Sequence, residues 1–285
     1  VDIAFSVEDG RVTVKAGRSR FTLSTLPAAE FPTVEAGEGE IDLELAQTLV
    51  RQMIDRTGFA MAQQDVRYYL NGMYMEIKEG RLRFVATDGH RLALCTAPGQ
   101  VEADDKSVIV PRKGILELSR LLDADGSVTL TVGSNHIRAA TDQFTFTSKL
   151  IDGKFPEYER VLPRSPDKTV TGDRTELRQA FTRTAILSNE KYRGVRLALT
   201  NGSLEITANN PEQEQAEEMV PVDYSGDALE VGFNVSYLLD VLGVLSGSTV
   251  RMSLSDSASS ALVEDGDAGG EADAEALYVV MPMRL

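Results

Sequence analysis

The chain has 285 residues, 44 acids against 29 Lys and Arg for a formal charge of −15, and 42% hydrophobic residues. That acidity excludes a surface that binds nucleic acid all over, though not a local basic lining, and the apolar content and length favour more than one packed domain. No apolar run approaches the ~18 residues of a spanning helix, and the lone Cys95 cannot pair within the chain, so a cytoplasmic setting without membrane attachment is expected.

In chain order, Val1 to Pro32 reads as strands, V-E-D-G-R-V turning at Asp9-Gly10 and followed by R-S-R-F-T-L, and Phe31 to Glu40 reads as a linker. Leu43 to Thr57 has helical periodicity, with Leu45, Leu49, Met53 and Ile54 on one face and Arg51 and Arg56 off it. A loop around Gln63-Gln64-Asp65 leads to Gly72 to Leu94, which alternates at period two about a turn at Gly80. Pro111 opens a second helix, Lys113 to Leu122, apolar at Ile115, Leu118, Leu121 and Leu122, with Arg112, Lys113 and Arg120 elsewhere. Strands follow at Val128 to Val132, Ile137 to Ala140 and Phe144 to Leu150, then a proline-bearing linker from Phe155 to Lys168.

The order then repeats. A helix over Thr175 to Leu187 carries Arg178 and Arg183, strands run from Val195 to Met219, a helix covers Val235 to Leu245, and strands follow at Val250 to Leu254 and Ala261 to Val263. Glu264 to Glu275, E-D-G-D-A-G-G-E-A-D-A-E, reads as a flexible hairpin loop with no core residues, since the ligand spacing of an EF-hand calcium site is absent. The chain closes on a strand from Leu277 to Leu285.

The repetition is explicit in the residues. Gly194 to Asn210 lies over Gly72 to Leu94 without a gap, offset by 122 residues from Gly72 to Gly194, and Phe144 to Thr147 echoes Phe21 to Ser24, offset by 123. Three copies at a period of ~120 residues would require roughly 80 residues ahead of Val1, so the first copy reads as incomplete. The predicted fold is α+β, with repeats of helix, strands, helix, strands over 1–38 (the later half of a first domain), 39–158 and 159–285.

Materials for catalysis are thin. His90 and His136 are the only histidines, and no H-E-x-x-H, C-x-x-C, G-x-S-x-G or phosphate-loop pattern occurs, so no cofactor, metal or catalytic residue is implied. An Asp88/His90 hydrolase is the enzymatic alternative, but Thr87-Asp88-Gly89-His90 fits a turn better, Asp as side-chain cap and Gly for positive φ. Cys95, within the apolar run Leu92 to Cys95, reads as a buried small hydrophobe.

Across essentially the whole chain, the runs A-T-D-G-H-R-L-A, S-V-I-V-P-R-K-G, F-P-E-Y-E-R-V-L-P, A-I-L-S-N-E-K-Y-R-G-V-R, T-A-N-N-P-E-Q-E, G-F-N-V-S-Y-L-L-D-V-L and Y-V-V-M-P-M-R-L resemble the bacterial replicative sliding clamps, the β subunits of DNA polymerase III. The resemblance implies three similar domains per chain and two chains closed head to tail around duplex DNA, with helices lining the hole and sheets outside. It implies as partners double-stranded DNA, a clamp loader, replicative and other DNA polymerases and repair proteins that dock through short apolar peptides, and a second copy of the chain. It supplies no active site.

A ring that slides needs weak, sequence-independent attraction to phosphates, which Arg51, Arg56, Arg112, Lys113, Arg120, Arg178 and Arg183 could provide from the helices. The helix over Val235 to Leu245 bears only Asp240, so the lining is uneven. The resemblance adds Gln64, Tyr68 and Tyr69 as DNA contacts; read alone, the tyrosines are strand residues. It places a peptide pocket between the second and third domains, made of Leu70, Thr87, Gly89, His90, Arg91, Leu92, Pro156, Arg160, Val161, Asn234, Tyr237, Ser260, Val279, Val280, Met281, Pro282, Met283 and Arg284. Aliphatic and Met walls suit apolar anchors there. It places the ring-closing interface at Arg18, Arg20, Phe21 and Leu23 on one side and Ile186, Leu187, Glu212, Glu214, Glu217 and Glu218 on the other, with Gln215 standing where a further acid is expected. The chain as given is then expected to associate weakly and to close a stable ring only with the preceding segment supplied. An acidic scaffold that binds only proteins, without encircling DNA, is the non-enzymatic alternative.

Overall fold

The computed structural model describes residues 2–31, 41–267 and 274–284. It divides into two compact units, Val1–Ala36 and Gly37–Leu285.

The first unit is a three-stranded antiparallel sheet of β1 (Ile3–Glu8), β2 (Arg11–Ala16) and β3 (Ser19–Ser24), in that order. Asp9 (φ 48°) and Gly10 (φ 71°) form the tight β1–β2 turn that the Asp-Gly pair predicts. Register aligns Phe5, Val14 and Phe21 in one row and Val7, Val12 and Leu23 in the next. Side chains two apart share a face, so these rows form one apolar face. Phe5, Val7, Phe21 and Leu23 on it are exposed.

The second unit repeats one order of elements. The first round is β4 (Ile41–Ala46), α1 (Gln47–Thr57), β5 (Gly72–Lys78), β6 (Arg81–Thr87), β7 (Arg91–Thr96), β8 (Lys106–Pro111), α2 (Arg112–Leu121), β9 (Ser127–Val132), β10 (His136–Ala140) and β11 (Thr145–Lys149). The second is β12 (Lys168–Asp173), α3 (Arg174–Thr184), β13 (Gly194–Thr200), β14 (Ser203–Asn209), β15 (Gln215–Pro221), β16 (Leu229–Asn234), α4 (Val235–Val244), β17 (Thr249–Leu254), β18 (Ala261–Asp265) and β19 (Glu275–Val280). The expected order of helix, strands, helix, strands holds, but each round opens on a further strand. Ile41 to Ala46, partly assigned to the first helix, is instead β4, because Ile41, Leu43 and Leu45 alternate and pair with Val132, Leu130 and Val128. Likewise β12 begins at the last residue of the expected linker, fills the stretch ahead of the expected helix and pairs with β17.

All ladders are antiparallel. The orders β11-β10-β9-β4 and β15-β14-β13-β16 form two four-stranded sheets. Between them runs an eight-stranded sheet, β12-β17-β18-β19-β7-β6-β5-β8, in which the last strand of the second round joins the first round through pairs such as Leu277 with Leu94 and Val279 with Leu92. The main core lies between these sheets and the helices, and Met53, Phe181, Phe233 and Tyr278 are fully buried in it. Each such side chain contributes on the order of 1.5–3 kcal/mol of transfer free energy, and a continuous sheet at the junction fixes the two rounds as one body. A second, smaller cluster on the opposite face of the long sheet contains Leu70, Val85, Leu92, Phe155, Tyr158 and Val279. Its lid is the connection between the rounds, Ile151 to Leu162.

The ends of elements bring further corrections. Tyr68 and Tyr69 sit on a 3-10 turn, Tyr68–Leu70, rather than in a strand. The last strand stops at Val280, ahead of Pro282, and Met283 makes only an isolated bridge to Gly232. In the acidic segment, Glu264 and Asp265 end β18, Glu275 begins β19 and Ala274 is buried in the core, so the expected loop free of core residues is wrong there. Residues 268–273 lie outside the described residues. No described helix is long and apolar enough to cross a membrane.

Candidate functional site

The junction of the two rounds carries a cavity of about 190 Å³ lined by Arg67, Leu70, Thr87, Gly89, Arg91, Leu92, Pro156, Glu157, Tyr158, Val161, Val279 and Met281. Four segments converge on it: the loop ahead of β5, the turn between β6 and β7, the connection after β11, and the end of β19. The turn is built as its sequence dictates. Asp88 Oδ1 accepts the amides of His90 (2.9 Å) and Arg91 (3.0 Å), Thr87 Oγ1 donates to the Arg91 carbonyl at 2.6 Å, and Gly89 adopts φ +89°. A Cβ on Gly89 would lie 2.8 Å from the Arg67 guanidinium, so glycine also lets that cation lie against the turn, where it donates to the Asp88 carbonyl at 3.1 Å. Asp65 holds Arg67 from the other side through Nε (3.0 Å) and Nη2 (2.9 Å), and these bonds lower the Asp65 carboxyl to about 2.

Arg91 is the cross-brace behind this wall. It donates to Asp88 Oδ2 (3.1 Å), to the Phe59 carbonyl (2.9 Å) and to Asp240 on α4. Its guanidinium also lies 5.1 Å from the Phe59 ring centre and 4.6 Å from that of Tyr237. Asp240, the one charge on α4, therefore has a partner in the first round of the fold. An arginine suits this position because its planar fork can bond in plane and stack above and below.

Nine of the predicted pocket residues line the cavity: Leu70, Thr87, Gly89, Arg91, Leu92, Pro156, Val161, Val279 and Met281. His90 and Tyr237 stack on each other beyond Arg91, with ring centres 6.5 Å apart. Asn234 caps α4 by accepting the Ser236 amide, and its side-chain amide donates to the Tyr192 carbonyl. Arg160, Ser260, Pro282, Met283 and Arg284 are outside the lining. Val280 is a correction: it faces the main core, fully buried, because its neighbour Val279 takes the cavity side. Arg67, Glu157 and Tyr158 were missed; the Asp65-x-Arg67 spacing and the tyrosine of F-P-E-Y-E-R were the available signals.

The seven helix cations separate into classes. Arg56 departs from expectation: it is buried, donating to the Ala274 carbonyl and to Ser246 Oγ across the junction. Arg112 is half-buried and donates to the carbonyls of Gly58 (3.3 Å) and Met61 (3.4 Å). Arg51 faces Asp55, Arg120 pairs with Glu117, and Arg183 grips Glu218 through Nε (2.6 Å) and Nη2 (2.8 Å). Lys113 and Arg178 are exposed, and among the described residues neither has an ion-pair partner. Gln64, at a positive φ of 55°, and Tyr68 are exposed on one loop, with Tyr69 edge-on to Tyr68 at 5.8 Å.

On the predicted interface, Arg20, Phe21 and Leu23 are exposed on β3, an edge strand, and Arg18 is exposed in the turn just ahead of it. Ile186 is 76% exposed after α3, Leu187 is half-buried, and Glu212, Glu214 and Glu217 are exposed on or beside β15, the edge of its sheet. Glu218 is already engaged by Arg183, and the exposed Met219 on the same strand was not anticipated. The Asp88/His90 dyad is not assembled, because Asp88 is bonded to main-chain amides and Arg91 rather than to the imidazole.

The family model described as DNA polymerase III beta subunit, central domain, matches residues 44–157, and that described as DNA polymerase III beta subunit, C-terminal domain, matches residues 159–284. The chain is 64% identical to the beta sliding clamp of Pseudomonas aeruginosa, over 99% of this chain and 76% of that protein. It is 54% identical to the beta sliding clamp of Escherichia coli K12, over 100% of this chain and 76% of that one. A crystal structure of the P. aeruginosa sliding clamp bound to griselimycin superposes with a TM-score of 0.92 at 64% identity, again over 99% of this chain and 76% of that one.

Proposed function

Because the chain belongs to the DNA polymerase III beta subunit family, we propose that it is a non-catalytic DNA sliding clamp, forming a ring of two chains around duplex DNA and tethering a DNA polymerase to it. The observation that carries the reading is the doubled order β-α-ββββ-α-βββ joined by one continuous eight-stranded sheet, with the two helices of each round packed on each other. Residues 39–158 and 159–285 are then two complete domains. The sheet of β1 to β3 corresponds to the last three strands of another, as β9 to β11 and β17 to β19 close the two that follow.

In this reading DNA meets Lys113 and Arg178 first, with Arg51, Arg120 and Arg183 available on release of their acidic partners, and Gln64, Tyr68 and Tyr69 touching it from the loop. Arg56 and Arg112 hold the fold instead. The cavity at the junction takes a short apolar segment of a polymerase, clamp loader or repair protein, its Leu, Val and Met walls supplying contact area and Arg67 and Arg91 orientation. Ring closure sets β3 of one copy against the β15 edge of the next, apolar Phe21, Leu23, Ile186 and Leu187 contributing more than the surface ion pairs.

The test is processivity. With a bacterial replicative polymerase and its clamp loader, the protein should lengthen the DNA made per binding event, and Val161→Asp, at an exposed position on the cavity wall, should remove the gain. Equal product lengths with and without the protein would refute the reading. Griselimycin is bound by the P. aeruginosa relative, and in this reading it should compete with a partner peptide for the cavity.

A further inference from the structure

We propose that Glu76 and Arg83, outside the cavity on the outer face of the long sheet, are positioning residues that hold the wall on which a partner peptide rests; this depends on the pocket reading above. The wall is the connection from Ile151 to Leu162, which supplies Pro156, Glu157, Tyr158 and Val161 to the lining. It is not a strand of the sheet beneath it. Its main chain is tied to that sheet at its start, Ile151 N–H to the Ile109 carbonyl at 2.8 Å, and then bonds locally, Arg160 to Glu157 and Val161 to Tyr158.

Between those points side chains do the fastening. Phe155 stacks on Tyr74 with ring centres 4.6 Å apart and planes at 8°, and Tyr158 packs edge-on to the same ring at 6.1 Å. The Tyr158 hydroxyl donates to Glu76 Oε2 at 2.6 Å, and Arg83 Nη1 donates both to that hydroxyl (3.2 Å) and to the same carboxylate oxygen (3.4 Å). Glu76 Oε1 accepts the Tyr74 hydroxyl at 3.3 Å. The Glu76 side chain is only 12% exposed, so these are bonds in a poorly solvated setting, where a charged acceptor is worth more than at a surface. The exposed Lys78–Glu159 pair at 3.1 Å adds little by comparison.

On its other side the wall borders open solvent. A groove of about 1040 Å³ runs along it, lined by Tyr74, Glu76, Asn135 and the connection's own residues, and shares Pro156, Glu157 and Tyr158 with the cavity. A wall bordered by a solvent-open groove on one side is placed by its ties rather than by packing from both sides. Loosening the Tyr158–Glu76 bond therefore lets the wall move into the groove and widens the cavity.

The experiment is fluorescence anisotropy with a labelled apolar peptide from a bacterial replicative polymerase, on the parent, Glu76→Gln, Tyr158→Phe, the double variant and Val161→Asp. Both single changes preserve shape. Each should weaken binding about tenfold or more, the range of one hydrogen bond to a charged group, and the double variant should be no weaker than the worse single one, because one change removes the donor and the other neutralises the acceptor of the same bond. In protein carrying 3-fluorotyrosine, the ¹⁹F resonance missing from Tyr158→Phe should move in Glu76→Gln and move again when peptide binds the parent. Parent-like affinity in both single variants, with binding abolished by Val161→Asp, would overturn the positioning role while leaving the pocket intact. Unchanged binding in Val161→Asp would remove the pocket, and the positioning role with it.

Discussion

Among the seven helix cations, charge on the chain and charge available to DNA are different quantities, and salt dependence separates them. Lys113 and Arg178 are exposed and unpaired among the described residues, whereas Arg56 is buried against Ala274 and Ser246. Each phosphate neutralised by a cation adds about 0.9 to the slope of log K against log salt, so Lys113→Ala with Arg178→Ala should lower the slope by about 1.8 per chain. Between 50 and 200 mM salt the parent should then lose roughly tenfold more affinity than the double variant. Adding Arg51→Ala and Arg112→Ala to Lys113→Ala should change affinity and slope little beyond the Lys113 effect, since one is opposed by Asp55 and the other is held by carbonyls. Arg56→Met should leave the slope unchanged and destabilise the fold by about 1–3 kcal/mol, the cost of a buried acceptor left without its donor. The assay is equilibrium binding to a linear duplex across that salt range, beside thermal unfolding. A parental slope in the Lys113/Arg178 variant, or a slope lowered by Arg56→Met, would refute the division.

Deleting residues 281–285 removes Met281 from the cavity and two main-chain bonds, Met281 to the His90 carbonyl and Met283 to that of Gly232; peptide affinity should fall at least about tenfold while melting stays cooperative, as calorimetry would show. Asp267 accepts the amides and hydroxyls of Ser248 and Thr249, which lower its carboxyl to about 2 from 3.8; that stabilisation is complete above the unfolded value and disappears as pH falls through the folded one. Urea titrations between pH 5 and 2 should thus show a shallower loss of stability for Asp267→Asn than for the parent, and parallel curves would contradict this. Cys95 is buried and its thiol is pushed up to about 11 by desolvation, so maleimide at pH 7 should label it in urea and not in the native protein, by mass spectrometry.

Much of this architecture is visible in the residues because repetition makes it so. The hairpins with turns at Gly80 and Gly202, both left-handed as a glycine there predicts, recur at domain spacing, and the Thr87 to His90 turn follows from Asp and Gly alone. The strand β4 is hidden because it runs straight into α1, so period two passes to period 3.6 with no glycine or proline between, and β12 because it follows a proline-bearing stretch and carries Gly172 where the next apolar position would fall. Arg56 misled for a different reason. On its own helix it lies off the apolar stripe, but the surface covering it comes from Ser246 and Ala274 in the other round, information no single-helix pattern contains. Tyr158 was passed over in a proline-rich linker, where composition announces irregular backbone and says nothing of the Glu76 carboxylate eighty-two positions earlier that receives its hydroxyl.

Topological retention tests the central claim most directly. Protein assembled by a clamp loader on a nicked circular duplex should co-elute with the DNA in gel filtration at a salt concentration that abolishes its binding to short linear duplex, and cutting the circle once should release it, because a ring leaves through a free end. Protein that stays bound after linearisation, or that never outlasts the salt that strips linear DNA, would show that it holds DNA by surface contact and does not encircle it.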